Sequence, residues 1–253
     1  MTSPFGFAAL VAETEDTLVQ QLGLRPVALE PALAQADGAW KGEPVSLTTR
    51  AYSGGAVRYA RFARLVGPDL EIGNVLCLPD PLYPLPILGA DLVALGRATG
   101  MVAADLSPTL PAGADREHQL ALLASLGLTT SALPSGGALP AWCQTWFSPY
   151  ALYTRVPPER AGDARRACAV FVQAFVDLIR QATPRPEQAS AVRAMQAGYA
   201  AAHRSDDKGL GLLARMFGAA WAERYIGAAL FPRDVRPSRA SDYLVRARAA
   251  DRS

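Results

Sequence analysis

Two polar residues interrupt an otherwise apolar part of this chain. Asn74 and Asp91 stand in strand-like runs on either side of the proline-rich segment Pro79-Asp-Pro-Leu-Tyr-Pro-Leu-Pro86. A hairpin folded symmetrically about Leu82 and Tyr83 sets the two directly opposite each other, and opposed residues share one face of a sheet. A carboxylate among Leu88, Ala90, Leu92 and Val93 is costly to ionise unless partnered, so Asp91 is expected to hold a proton near neutral pH. That is the chemistry of a proton donor. Each residue also has a plainer explanation: Asp91 as a buried carboxylate satisfied by backbone donors, Asn74 as a residue closing a turn or bulge.

A second acidic site is Asp206-Asp207-Lys208. An N-cap at the positive end of a helix explains one of these acids. The other reading is a loop carboxylate aimed into a pocket, with Lys208 placed to pair with an acidic ligand group. The two histidines, His118 and His203, are too isolated for a metal site; His118 sits among Asp115, Arg116 and Glu117, whereas His203 precedes Asp206 by three residues. Cys77, Cys143 and Cys168 form no CxxC pair, so neither a zinc site nor a disulfide framework is indicated, which suits a reducing compartment: a cytoplasmic location is expected, or the plastid stroma for the mature form of a eukaryotic protein. The chain has no GxGxxG leading into a helix, no GxxxxGK[ST] and no GxSxG, so nucleotide cofactors and hydrolase chemistry find no support.

The chain has 253 residues, half of them hydrophobic, and a formal charge of only +2. It can bury a substantial core, and it lacks the electrostatic footprint of a nucleic-acid binder. No run reaches the roughly 18 apolar residues of a membrane span, and the acidic N-terminal region resembles neither a signal nor a transit peptide. Arg58, Arg61 and Arg64, with Arg233, Arg236, Arg239, Arg246 and Arg248, are candidates for a basic patch facing an acidic protein, although surface arginines often serve solubility alone.

The elements that would position these residues follow from hydrophobic period. Residues 5–22 read as an amphipathic helix capped by Gly23. Residues 43–106 read as four or five antiparallel strands, residues 114–126 as a polar helix, and residues 151–155 as another strand. Cys168, Phe171, Val172, Phe175 and Ile179 share one helical face between Pro158 and Pro184. A further helix is expected over 187–202, and a last one from Gly209 carrying Leu213 through Leu230. Strands flanked by helices predict an α+β fold, a three-layer α/β/α sandwich around a central antiparallel sheet. It is expected to be one domain over 1–253, with a core at about 43–232 and a basic tail at 233–253.

Several short motifs in a fixed order carry a resemblance. Tyr83-Pro-Leu-Pro-Ile-Leu-Gly-Ala-Asp91-Leu-Val, Asp105-Leu-Ser-Pro108, Leu139-Pro-Ala-Trp142, Phe147-Ser-Pro149, Thr154-Arg155, Asp206-Asp-Lys and Phe217-Gly-Ala-Ala-Trp221 through Leu230-Phe231 make the chain similar to the ferredoxin-dependent bilin reductases, over residues 43–232. The resemblance implies an open-chain tetrapyrrole held between the sheet and the C-terminal helices, with no bound organic cofactor or metal. Electrons come singly from an external reduced 2Fe-2S ferredoxin, and side chains supply the protons. It assigns catalytic roles to Asp91, Asp206 and Asn74, and a propionate contact to Lys208. Tyr83, Leu88, Phe62 and His203 are further candidates to line the substrate site. Expected partners are ferredoxin and a bilin, biliverdin IXα or 15,16-dihydrobiliverdin, with a second bilin reductase or a heme oxygenase as further candidates, and a monomer is expected.

Within that family, phycocyanobilin-forming members carry a histidine where this chain has Asn74 and a glutamate where it is aligned to have Phe62. The Asn74, Asp91 and Asp206 set resembles members leading to phycoerythrobilin, whereas the Asp-Leu-Ser-Pro and Leu-Pro-Ala-Trp elements lean toward the phycocyanobilin lineage. The expected product is phycoerythrobilin. Phycocyanobilin or dihydrobiliverdin formation, and a non-catalytic bilin carrier, are the alternatives.

Overall fold

A computed structural model describes residues 3–128, 133–205 and 207–232, and the side chains of residues 207 and 208 lie outside the description. Its centre is an eight-stranded sheet in which every pairing is antiparallel. Strands β3 (Glu43–Gly54), β4 (Val57–Gly67), β5 (Leu70–Pro79), β6 (Ile87–Leu95), β7 (Gly100–Ser107) and β8 (Leu152–Val156) lie side by side in chain order. The outer edge of β3 is covered by two short strands, β1 (Arg25–Val27) and β2 (Gln35–Trp40). Both precede residue 43, where the strand pattern of the sequence starts. They are short, and Asp37 and Gly38 dilute the β-branched and aromatic content that marks a strand.

Alternation of side chains divides the sheet into two faces. On one face, Phe62, Val75, Leu88, Leu92, Val102 and Ala104 meet α1 (Phe7–Leu22) and α5 (Ala161–Gln181), which contribute Phe7, Leu10, Val11, Leu18, Phe171 and Phe175. Helix α1 lies close to the sheet because Gly73 has no side chain: a Cβ there would come within 2.6 Å of Val11. The first turn of α1 has unpaired amides, and one of them, that of Ala8, donates to the buried Glu71 carboxylate at 2.7 Å. At the other end Gly23 adopts the left-handed conformation at φ 62°, as its placement after Leu22 predicted.

On the opposite face, Leu47, Tyr59, Leu65, Leu76 and Ile87 pack against α6 (Ala189–Arg204), α7 (Asp207–Phe217), α8 (Ala219–Tyr225) and a π-turn, Ile226–Leu230. The last long helix expected from sequence is therefore three pieces. Gly218, at φ 91°, takes a conformation that other residues rarely adopt and breaks the axis between α7 and α8. Two buried hydrogen bonds pin the terminal piece to the sheet: the hydroxyls of Tyr225 and Thr49 lie 2.7 Å apart, and that of Tyr59 donates to the Ala229 carbonyl at 2.7 Å. Short helices α2 (Pro31–Ala34), α3 (Ala114–Ser125) and α4 (Cys143–Trp146) complete the chain, giving the α/β/α layering that the pattern predicted.

The β5–β6 connection is tight. Asp80 accepts from the Leu82 amide through its side chain at 3.0 Å and from the Tyr83 amide through its carbonyl at 2.8 Å. This turn fixes the register of the two strands behind it, including Asn74 opposite Asp91.

Candidate functional site

Period-two alternation places Asn74, Gly89 and Asp91 on the face covered by α6 and the π-turn, and the same alternation adds Arg61 from β4 and Ala103 from β7. These residues floor a cleft of about 310 Å³, mouth included, walled by Phe147, Tyr199, His203 and Phe231. Asn74 and Asp91 are directly paired residues, and the Asn74 side-chain amide donates to an Asp91 carboxylate oxygen. The two are opposed and share a face, as their spacing about Leu82 and Tyr83 predicts. The Asn74 Oδ1 atom is buried with no partner.

Among the described residues Arg61 is the largest fully buried side chain, at 0 % exposure. Its Nη1 donates to the Asn74 carbonyl at 3.3 Å, and its guanidinium lies 5.9 Å from the Phe231 ring centroid. Its Nε and Nη2 have no partner. The basic patch expected of Arg58, Arg61 and Arg64 does not form around Arg61. Arg61 enters the cleft, Arg64 pairs with the buried Glu15 at 3.5 Å on the other face, and Arg58 is partly buried.

His203 packs among aromatic rings, with centroid distances of 4.2 Å to Tyr199, 4.5 Å to Trp142 and 4.6 Å to Phe231. Burial pushes its pKa down to about 3, and the positive charge of Arg61 acts in the same direction. The ring is therefore neutral at physiological pH, and its buried Nε2 has no partner. Tyr199 stands over the floor at Gly89, where an added Cβ would sit 2.9 Å from the phenol oxygen. Burial raises the phenol pKa, so it stays protonated.

Beside the cleft, two of the quoted motifs bond to each other. Ser148 of Phe-Ser-Pro donates to Asp105 through its hydroxyl at 2.5 Å and its amide at 2.8 Å, and Ser107 of Asp-Leu-Ser-Pro donates to the same carboxylate at 2.7 Å. Burial raises the Asp105 pKa to about 6, against the opposite pull of these hydrogen bonds. The clamp fixes the loop that delivers Phe147 to the cleft wall.

Of the residues expected from sequence, Asn74, Asp91 and His203 are brought together. Phe62 and Leu88 are not: they point to the α1–α5 face, Phe62 edge-on to Tyr52 at 5.9 Å and Leu88 near Leu10 and Cys168. A strand residue one position out of phase faces the other side of the sheet, which is why Arg61, not its neighbour Phe62, reaches the floor. Tyr83 lies in the β5–β6 turn against the α1–α5 cluster. Asp206 and the Lys208 side chain lie outside the described residues. Arg61, Gly89, Phe147, Tyr199 and Phe231 went unrecognised as site residues, although the alternation that selected Asn74 would have reached Arg61 across β4. Among the described residues no group of three or more His, Cys, Asp and Glu is placed to hold a metal ion, and the three cysteines are buried thiols.

Residues 11–232 match the family model described as ferredoxin-dependent bilin reductase. The chain is 33% identical to a phycoerythrobilin:ferredoxin oxidoreductase of Synechococcus sp., over 83% of this chain and 85% of that one. It is 28% identical to the enzyme of the same name from Gloeobacter violaceus over 91% and 96%, and 32% identical to a phycocyanobilin:ferredoxin oxidoreductase of Synechococcus elongatus over 88% and 90%. The fold is similar to that of tomato phytochromobilin synthase, solved in complex with biliverdin, with a TM-score of 0.80 at 22% identity over 89% of this chain and 82% of that one.

Proposed function

Because the chain belongs to the ferredoxin-dependent bilin reductase family and is therefore an oxidoreductase, we propose that it forms phycoerythrobilin, either from 15,16-dihydrobiliverdin by two-electron reduction of the A-ring diene or from biliverdin IXα by four-electron reduction of the 15,16 bond and the A-ring diene. The observation that carries this reading is the Asn74–Asp91 pair on the cleft floor. An aspartate on a rigid central strand, oriented by an amide from the next strand, is a fixed proton source for a substrate that receives electrons one at a time from ferredoxin. In this reading Asp91 delivers the proton and Asn74 holds its carboxyl group in place. Asp206 supplies the second proton to the A-ring, and Lys208 pairs with a propionate. The neutral His203 and the rings around it exclude water and hold the tetrapyrrole flat.

Asn74 is the feature that favours phycoerythrobilin over phycocyanobilin, since the amide lacks the titrating nitrogen of a histidine. The phycocyanobilin-type relative, at 32% identity, keeps the alternative product in view. Three buried thiols suit a reducing, cytoplasmic setting, where the protein acts as a monomer on bilin delivered by a heme oxygenase or a second reductase.

The test is anaerobic incubation with ferredoxin, ferredoxin reductase and NADPH, with products separated by chromatography. Phycoerythrobilin from biliverdin IXα identifies a four-electron enzyme, and turnover of dihydrobiliverdin alone identifies the second-step enzyme. Phycocyanobilin overturns the product assignment. Binding of both bilins without turnover of either identifies a carrier.

A further inference from the structure

We infer that Arg61 is a substrate-binding residue whose unpaired N–H groups take the lactam carbonyl oxygen of a terminal bilin ring. The inference rests on the bilin reading of the cleft given above. Its starting point is an energetic anomaly. A guanidinium cannot be neutralised in a protein, and burying one without full pairing costs several kcal/mol. Arg61 is fully buried on the cleft floor, yet the structure gives it one hydrogen bond, to the Asn74 carbonyl, and contact with the face of Phe231. Its Nε and Nη2 hydrogens meet no acceptor. Such an arrangement is sustained when a ligand completes it.

The neighbouring atoms define that ligand. Arg61 presents unmatched donors, while Asn74 Oδ1, on the same floor, is an unmatched acceptor, and the His203 Nε2 above it is buried without a partner. A molecule that fits must offer a carbonyl-type acceptor and an N–H donor close together on a flat, apolar body that can lie against Phe231 and His203. The lactam ring of a linear tetrapyrrole carries a C=O and an N–H on adjacent atoms. A propionate carboxylate would satisfy Arg61 but brings no donor for Asn74 Oδ1.

The geometry also bears on electron transfer. Where an electron passes from reduced ferredoxin to a neutral bound bilin ahead of a proton, the bilin becomes a radical anion and ferredoxin is oxidised by one electron. The lactam oxygen shares that negative charge, and a fixed guanidinium in a water-poor cleft stabilises it without reorganising.

Arg61→Met and Arg61→Lys test this by absorption titration of the wild type and both variants with biliverdin IXα and with its dimethyl ester, together with thermal unfolding in the absence of bilin. Arg61→Met is expected to unfold at a temperature equal to or above that of the wild type, since it removes a buried, under-paired charge. Its Kd for both bilins is expected to rise about 10- to 100-fold, the range of a hydrogen bond to a charged group. Arg61→Lys keeps the charge without the planar fork and recovers part of the loss. Unchanged affinity in a folded Arg61→Met overturns the inference and leaves the bilin reading intact. A penalty seen with the free acid and absent with the ester also overturns it, by assigning Arg61 to a propionate. No binding of either bilin to the wild type overturns the bilin reading and this inference together.

Discussion

The Asn74 side chain reaches across from β5 to β6 and donates to Asp91, its direct partner in the antiparallel register. The two are held there by a turn in which Asp80 bonds the amides of Leu82 and Tyr83, so neither strand can slip without moving the pair to the opposite face. Their placement is a property of the backbone more than of side-chain choice. This makes the orientation of Asp91 testable separately from its presence.

Asn74→Ala removes a donor to the Asp91 carboxylate and leaves the register intact. Turnover of bilin is expected to fall about 10- to 100-fold, the cost of leaving a buried carboxyl group without its orienting partner, with bilin affinity within a few-fold of the wild type. Single-turnover spectra and absorption titration separate the two. An unchanged rate would mean that Asn74 has no orienting role.

Gly89→Ala tests the packing of the floor. The added Cβ would sit 2.9 Å from the Tyr199 phenol oxygen, at the end of a rigid ring held against Trp146 and His203. The ring must shift, and the expected cost is about 1–3 kcal/mol in denaturant unfolding, as for other overpacked cores. Weakened bilin binding should accompany it.

The two halves of the fold were not equally visible in the sequence. Hydrophobic spacing and chain breakers located α1 and α5 and the hairpin at Pro79–Pro86, because each is long or flanked by strong punctuation. The strands β1 and β2 carried too few apolar residues to register, and the break at Gly218 was hidden inside a continuous apolar pattern. Within the site, Asn74 and Asp91 stood out as polar residues in apolar strands. Arg61 did not, because an arginine in sequence reads as a surface residue, and its burial depends on the packing of the π-turn and Phe231 over it. Phe147 and Tyr199 come from separate elements that only the tertiary fold gathers.

Asp105 gives a pH signature. Its folded pKa is raised to about 6 by burial, so its contribution to stability is full at low pH and is lost as pH rises from about 4 through 6. Across that window the wild type should lose stability relative to Asp105→Asn, at most about 1.4 kcal/mol per pH unit. Urea unfolding between pH 4 and 7 measures the difference, and a pH-independent difference would contradict the assignment.

His203 acts with the opposite sign. Its folded pKa is depressed to about 3, so its contribution is present above about pH 6.5 and is lost as pH falls from there toward 3. His203→Phe keeps the aromatic stack and removes the titration. The variant should resist acid unfolding better than the wild type, by up to about 1.4 kcal/mol for each pH unit below 6.5.

The most direct test of the account is Asp91→Asn, followed under anaerobic single-turnover conditions with reduced ferredoxin. The substitution preserves shape and removes the transferable proton. It should leave bilin affinity near that of the wild type and lower the rate of product formation by about 10²- to 10⁴-fold, the usual contribution of a positioned acid. A variant that binds bilin and forms product at the wild-type rate would contradict the assignment of Asp91 as the proton donor.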